Sequence, residues 1–185
     1  EWTEGAICAD IACTPMQWTI EDGGNGHWYR IINDGNISWL EAQSRAELIG
    51  GHLATTTVIP ESQFVASIAP NDDSLIIGGF QDENSPEYSE PGFEKGVYST
   101  FGWTWVTFET WDPDSTYWNT GMPDNVDNGH GEVNEQYLYM EYPKSTGGKW
   151  SDGDSYCPEC GNGYPYAVEW SADCNGDGIV DYGQI

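Results

Sequence analysis

Basic side chains are nearly missing from this chain: five Lys and Arg stand against thirty-one Asp and Glu in 185 residues, a formal charge of −26. Nucleic acid and anionic membrane surfaces are thereby excluded as partners, because both are held by clustered Lys and Arg. A compact state this acidic repels itself unless cations offset part of the charge, so a bound divalent cation is the economical expectation, with simple solubility in salty surroundings as the alternative. Long apolar runs are missing too. None approaches the roughly 18 residues of a membrane helix, so no membrane insertion is expected. Residues 1–10 have neither the basic start nor the apolar centre of a signal peptide, and the numbered chain is expected to be mature or processed. The motifs of catalysis are also lacking: there is no nucleophile elbow, no HExxH, no phosphate loop and no Cys with an obvious base. Acid pairs such as Asp112 and Asp114 are too common in so acidic a chain to argue hydrolysis, so no enzyme is expected.

What is present is aromatic. Ten Trp and eleven Tyr, with hydrophobic residues at 38%, place the chain among globular proteins rather than acidic disordered tails. The length suits one domain with one core. Cysteine comes as Cys8 with Cys13, Cys157 with Cys160, and Cys174 left over. Thiolate metal binding would want two pairs at matching spacing, and redox chemistry would want CxxC at a helix start rather than in a Gly-rich stretch. Two local disulfides are therefore expected, in an oxidising setting, secreted or on a cell surface, with Cys174 able to pair between chains.

Along the chain, residues 1–27 read as an irregular arm. HWYRII (residues 27–32) is a strand candidate followed by the turn NDGN. Ser38 is placed to cap a helix whose apolar residues Trp39, Leu40, Ala42, Ala46, Leu48 and Ile49 recur near the helical period, stopped by Gly50 and Gly51. HLATTTV (residues 52–58) reads as a strand. IPESQFVASIA is a second helix with Pro60 in its first turn, and SLIIGGF (residues 74–80) is a buried strand. A long loop follows over residues 81–100. Strands are expected again around Trp103 to Val106, at YLYMEY and at YAVEW. Strands and two helices in this order indicate an α+β domain.

The tail ADCNGDGIVDYGQI carries a calcium pattern. Asp173, Asn175 and Asp177 put hard oxygens on one side of a tight turn, Gly178 permits the bend, Ile179 offers a carbonyl and Asp181 fits the ninth position. This loop resembles those of EF-hand and dockerin-type repeats, with neutral Gln184 at the twelfth position where a carboxylate is expected.

Taken in order, WLEAQSRAELIGGHLATTT, LIIGGFQDE, GWTWV, YWNTGMPDN, NEQYLYM, KWSDGDS and YAVEW resemble the C-type lectin-like domain over residues 28–170, leaving residues 171–185 as a calcium-loop-like tail. The resemblance implies an α+β fold with two helices, small antiparallel sheets and a long-loop region that carries calcium and ligand. GGHLA, Ile76 to Gly79, Trp103 and Trp105, and KWSD then match its signature segments. MPDN falls where the family has E-P-N or Q-P-D, with Pro123 a candidate for a cis bond. Asp124, Glu135, Ser151 and Asp152 are the implied calcium ligands, and Asp124, Asn125, Glu135 and Asp152 the implied ligand-binding residues; Trp118, like Trp111 and Tyr117, is an aromatic able to stack on a sugar face, with loop or core packing the more common role for each. Met122 stands where the family has a Glu or Gln that serves both calcium and sugar, and a thioether is a poor ligand for a hard cation. The resemblance also puts Ala46 with Val168, and Tyr137 with Ser155, where the family has disulfides. Two functions compete: the resemblance implies a calcium-dependent module for glycan or extracellular protein ligands, while the irregular arm, the tail, the unpaired Cys174 and Met122 in the sugar motif point to a calcium-stabilised structural subunit that assembles with copies of itself. His27, His52 and His130 read as structural or solvated, Asn36-Ile37-Ser38 matches a glycosylation acceptor, and Asp82, Glu83, Glu87 and Glu90 read as a solvated face.

Overall fold

The computed structural model of the chain describes residues 14–86, 88, 102–124, 135–155 and 164–171. Eight strands and three helices are found among them: β1 Met16–Gln17, β2 Trp28–Ile32, α1 Trp39–Leu48, β3 His52–Leu53, α2 Ile59–Ile68, β4 Leu75–Gln81, β5 Trp103–Trp105, β6 Tyr137–Met140, α3 Pro143–Thr146, β7 Trp150–Gly153 and β8 Tyr166–Trp170. The strands run β1-β2-β8-β4-β6-β7, with β3 added on β8 and β5 on β4. Antiparallel ladders are joined by a parallel contact, Ile76 against Tyr166, which links β4 to β8.

Side chains alternate between the two faces of a strand, and here each face has its own core. Tyr29, Ile31, Leu75, Ile77, Leu138, Met140 and Ala167 point to one side, where Val65 and Ala66 of α2 cover them. Ile76, Tyr139, Tyr166, Val168 and Trp170 point to the other, where Trp39, Ala42 and Ala46 of α1 cover them. This explains why β4 is largely apolar and β8 apolar apart from Glu169: they are buried on both faces.

α1 begins as its sequence predicts. Ser38 accepts from the Glu41 amide while the Glu41 carboxylate accepts from the Ser38 amide, a reciprocal capping box of the kind whose loss costs about 1 kcal/mol. Gly50 ends it with φ +76°. The positions matched to the family's cysteines are filled by packing: Ala46 and Val168 are fully buried in one core, and the Tyr137 ring lies 4.7 Å from that of Trp39, whose amide donates to the Ser155 carbonyl at 2.6 Å.

Four expectations change. Residues 14–27, read as part of an arm, belong to the domain, because β1 pairs with β2 and Trp18 is buried, stacked on Phe64. HLATTTV is a strand only at His52–Leu53; the amides of Thr55 and Thr57 donate to the carboxylates of Glu169 and Glu61 instead of to a neighbouring strand. YLYMEY stops at Met140, since Tyr142 takes a left-handed conformation at φ +41° and caps a third helix, α3, with Pro143 at its start. The small antiparallel sheets are connected into one.

Candidate functional site

The YWNTGMPDN segment is built onto the edge of β7. The Trp150 amide donates to the Tyr117 carbonyl at 2.8 Å and the Asn119 amide to the Trp150 carbonyl at 2.7 Å, so residues 117–119 run alongside Trp150 as an extra strand-like layer. A turn follows in which the Met122 amide reaches the Asn119 carbonyl at 3.0 Å. Gly121 sits at its third position with φ +92°, a conformation open mainly to glycine. The Met122–Pro123 peptide is cis, as the MPDN resemblance implied for Pro123. Asn119 fixes the turn from the side by donating to Glu141 at 2.5 Å.

This construction delivers Asp124 to Asp152 of β7: the Asp124 amide donates to Asp152 Oδ1 at 3.1 Å. Glu135, just ahead of β6, completes the group, and carboxylate oxygens of Asp124, Glu135 and Asp152 lie within 4.8 Å of one another. Asp152 is only 8% exposed, so its negative charge gains little from water while two like charges face it. A donor set made wholly of carboxylate oxygens suits a hard divalent cation such as calcium rather than zinc. These residues fit calcium in charge and chemistry, and water or carbonyls would supply the remainder of its six to eight oxygens. Ser151, their neighbour on β7, is buried and lies opposite Tyr139.

Trp118 packs among other indoles, the alternative to sugar stacking in its sequence reading. Its ring packs 5.1 Å from Trp103, 6.3 Å from Trp111 and 5.9 Å from Trp150, which makes it part of an indole cluster beneath the loop. Trp105 and Trp111 belong to the same cluster. Asn125, the tail residues Asp173, Asn175, Asp177, Ile179, Asp181 and Gln184, the cysteines Cys8, Cys13, Cys157, Cys160 and Cys174, and His130, Glu87 and Glu90 lie outside the described residues.

A second cluster was not singled out in the sequence. His27, Glu61 and Glu169 bring a ring nitrogen and carboxylate oxygens within 4.8 Å of one another. Both oxygens of each carboxylate accept from the protein. Glu61 Oε1 takes the Tyr29 hydroxyl at 2.5 Å and the Asn25 amide group at 2.7 Å, and its Oε2 takes the Thr57 amide at 2.9 Å. Glu169 Oε1 meets His27 Nδ1 at 2.6 Å, and its Oε2 takes the Thr55 amide at 2.8 Å. This closed arrangement contrasts with the all-carboxylate group at the long loop. The one sequence hint was a Glu inside an apolar strand, YAVEW, and a chain with thirty-one acids hides it. His52, expected to be structural, contacts the Leu53 carbonyl and the Ser171 hydroxyl.

No protein-family profile matches the chain. It is 22% identical over 156 residues to the human protein C-type lectin domain family 4 member C, which covers 84% of this chain, while the chain spans 61% of that protein's length. Among solved structures, the C-type lectin domain of murine dendritic cell inhibitory receptor 2, in complex with N-glycan, superposes with a TM-score of 0.56 at 19% identity over 80% of this chain and 92% of that one. Human lithostathine superposes with a TM-score of 0.58 at 15% identity over 93% and 99%. An eight-stranded α+β sheet clasped between two helices, with a long loop carried on its edge strand and ended by a cis proline, is thus the C-type lectin fold in this chain.

Proposed function

We propose that this chain is a binding module rather than an enzyme: a calcium-supported, extracellular lectin-like domain whose ligand is a glycan held at the long-loop surface around Asp124, Glu135 and Asp152. The observation that carries this reading is the convergence of those three carboxylates at the end of the cis-proline turn. Solved proteins of the same fold include the murine receptor domain in complex with N-glycan and a cow C-type carbohydrate-recognition domain of CD23 in the presence of an oligosaccharide.

Charge narrows the ligand. Three carboxylates against one calcium leave the site near −1, in a chain at −26, so a neutral glycan is favoured over a sialylated or sulfated one. Met122 offers a thioether instead of an oxygen, so sugar hydroxyls have one polar partner fewer and affinity for a single sugar is expected to be weak. The test is calorimetry with calcium, followed by a panel of neutral and acidic glycans with and without chelator. Calcium uptake at one loop site and chelator-reversible binding of neutral glycans are expected. Calcium heat that is undiminished when both Asp124 and Asp152 are changed to Asn removes the reading.

A further inference from the structure

We infer that His27, Glu61 and Glu169 form a pH-operated clasp, which pins the N-terminal β1–β2 hairpin to the body of the domain in mild acid and loosens it as the pH rises. The clasp joins elements far apart in the chain. Asn25 and His27 come from the end of the hairpin turn, Tyr29 from β2, Glu61 from the first turn of α2, and Glu169 from β8. Asn25 donates across to Glu61 at 2.7 Å and His27 meets Glu169 at 2.6 Å, so the hairpin is tied to α2 and to β8 through side chains.

The charge in this cage does not balance without protons. Glu61 and Glu169 are 2% and 1% exposed, and Tyr29, which donates to Glu61 at 2.5 Å and lies 3.4 Å from Glu169, is fully buried. Among the described residues no lysine or arginine bonds or pairs with either carboxylate; the imidazoles beside them are His27 at 2.6 Å and His52 at 3.9 Å, both on Glu169. Glu109, in the loop after β5, adds a further negative charge through Thr55, whose hydroxyl lies 2.8 Å from it and 3.1 Å from Glu169. Two buried carboxylates facing each other retain a proton that isolated ones would lose. Burial first, and the charge of Glu169 second, push Glu61 up to about 7. Burial alone would lower His27, but its bond to Glu169 and the charges of Glu169, Glu61 and Glu109 outweigh that and raise it. Burial and the same two carboxylates push Tyr29 upward, so it stays a donor throughout.

Both raised groups act in the same direction. A group that holds its proton more tightly in the folded state stabilises fully below its unfolded value, and that stability is lost as the pH rises through the folded value. Glu61 thus contributes a loss that is complete near pH 7, and His27 extends it above about 6.5, its ordinary value. Ordinary carboxylates have finished titrating by about pH 5.5, so the fall between pH 5.5 and 8 excludes them even in so acidic a chain, and the Glu61 and His27 variants separate the clasp from the other imidazoles.

The experiment is chemical denaturation of the full chain from pH 5.5 to 8, paired with hydrogen exchange. In the unmodified chain the unfolding equilibrium is expected to rise by about tenfold per pH unit for each retained proton. Protection of the hairpin amides of Trp18, Gly24 and Gly26 should fall further than that of β4. Glu61→Gln, which mimics the protonated acid, should flatten the fall below pH 7, and His27→Gln should flatten the part above it. A proton resonance titration of His27 should give a value above 6.5. An equally steep fall in both variants, an ordinary His27 titration, or uniform loss of protection in hairpin and β4 alike overturns the clasp. None of these readouts involves calcium or glycan, so the outcome is separate from that of the lectin reading.

Discussion

The main-chain amide of Asp124 donates to Oδ1 of Asp152 at 3.1 Å, so the loop that ends in a cis proline is fastened to β7 by one of the carboxylates proposed to hold calcium. Asp152 therefore acts in two ways, as acceptor for the loop and as proposed metal ligand. Asp152→Asn separates them, because an amide oxygen still accepts from Asp124 while the ligand charge is lost. The expected result is an unchanged fold by circular dichroism with calcium affinity reduced about tenfold or more, as ligand charge count sets affinity in such sites. Calcium at about 100 times its dissociation constant should stabilise the unmodified chain by about 2.7 kcal/mol. An equal rise in melting temperature in the Asp152→Asn chain would remove Asp152 from the site.

Met122 invites the opposite change. It precedes the cis bond, two residues from Asp124, and the resemblance puts an oxygen donor at its position. Met122→Glu adds a hard oxygen beside a calcium that the proposed site leaves short of ligands, at the cost of one more negative charge. Tighter calcium binding by about tenfold, and stronger neutral-glycan binding that chelator abolishes, are the expected results in calorimetry. Unchanged affinity for both would mean that the residue-122 side chain does not face the metal.

How far this was legible from residues can be seen at particular places. The helix over Trp39–Leu48 was readable because its cap, apolar period and glycine stop are local signals that all agree. Asp124, Glu135 and Asp152 were readable only through ordered motifs, since nothing in their spacing shows that a cis turn and an edge strand bring them together. Thr55 to Thr57 misled, because β-branched residues favour a strand and what decides their conformation is a pair of distant buried glutamates. The pairing of Met16 with Tyr29 escaped for a related reason: a two-residue strand has no period to detect. Acidity itself concealed Glu61 and Glu169, which differ from their many fellows only in burial.

Trp118 offers a test between packing and ligand stacking. Its ring is half-buried and contacts Trp103, Trp111 and Trp150, all within 6.3 Å. Trp118→Ala should therefore cost about 3 kcal/mol, the scale for removing a packed indole, and shift the intrinsic fluorescence of the remaining tryptophans. Trp118→Phe should recover most of that stability. A solvent-facing platform for sugar would show the reverse: little change in denaturation midpoint and a large loss of glycan binding.

Gly78 is a position where adding one methyl group should damage the region beneath the loop. A Cβ there would lie 2.6 Å from the Leu53 carbonyl oxygen, 3.0 Å from Val106 Cγ2 and 3.1 Å from the Ala54 carbonyl oxygen. Two of these are backbone atoms, which cannot step aside as a flexible side chain would. The Gly78 amide also donates to Ala54 at 2.8 Å and its carbonyl accepts from Val106 at 2.9 Å, so relief would have to part β4 from the segments on both sides. Gly78→Ala is expected to cost about 3 kcal/mol, the upper range for overpacking, or roughly 6–12 °C in melting temperature for a chain of this length. Gly35→Ala is the control, because that glycine has nothing within 4 Å and only its φ of +82° to oppose a side chain; about 1 kcal/mol is expected there. Since Trp103 and Trp105 of β5 pair with β4 and pack under the long loop, Gly78→Ala should also weaken calcium binding, and Gly35→Ala should not. Equal losses of stability in the two variants would show that close backbone approach at Gly78 is not what holds β5 in place.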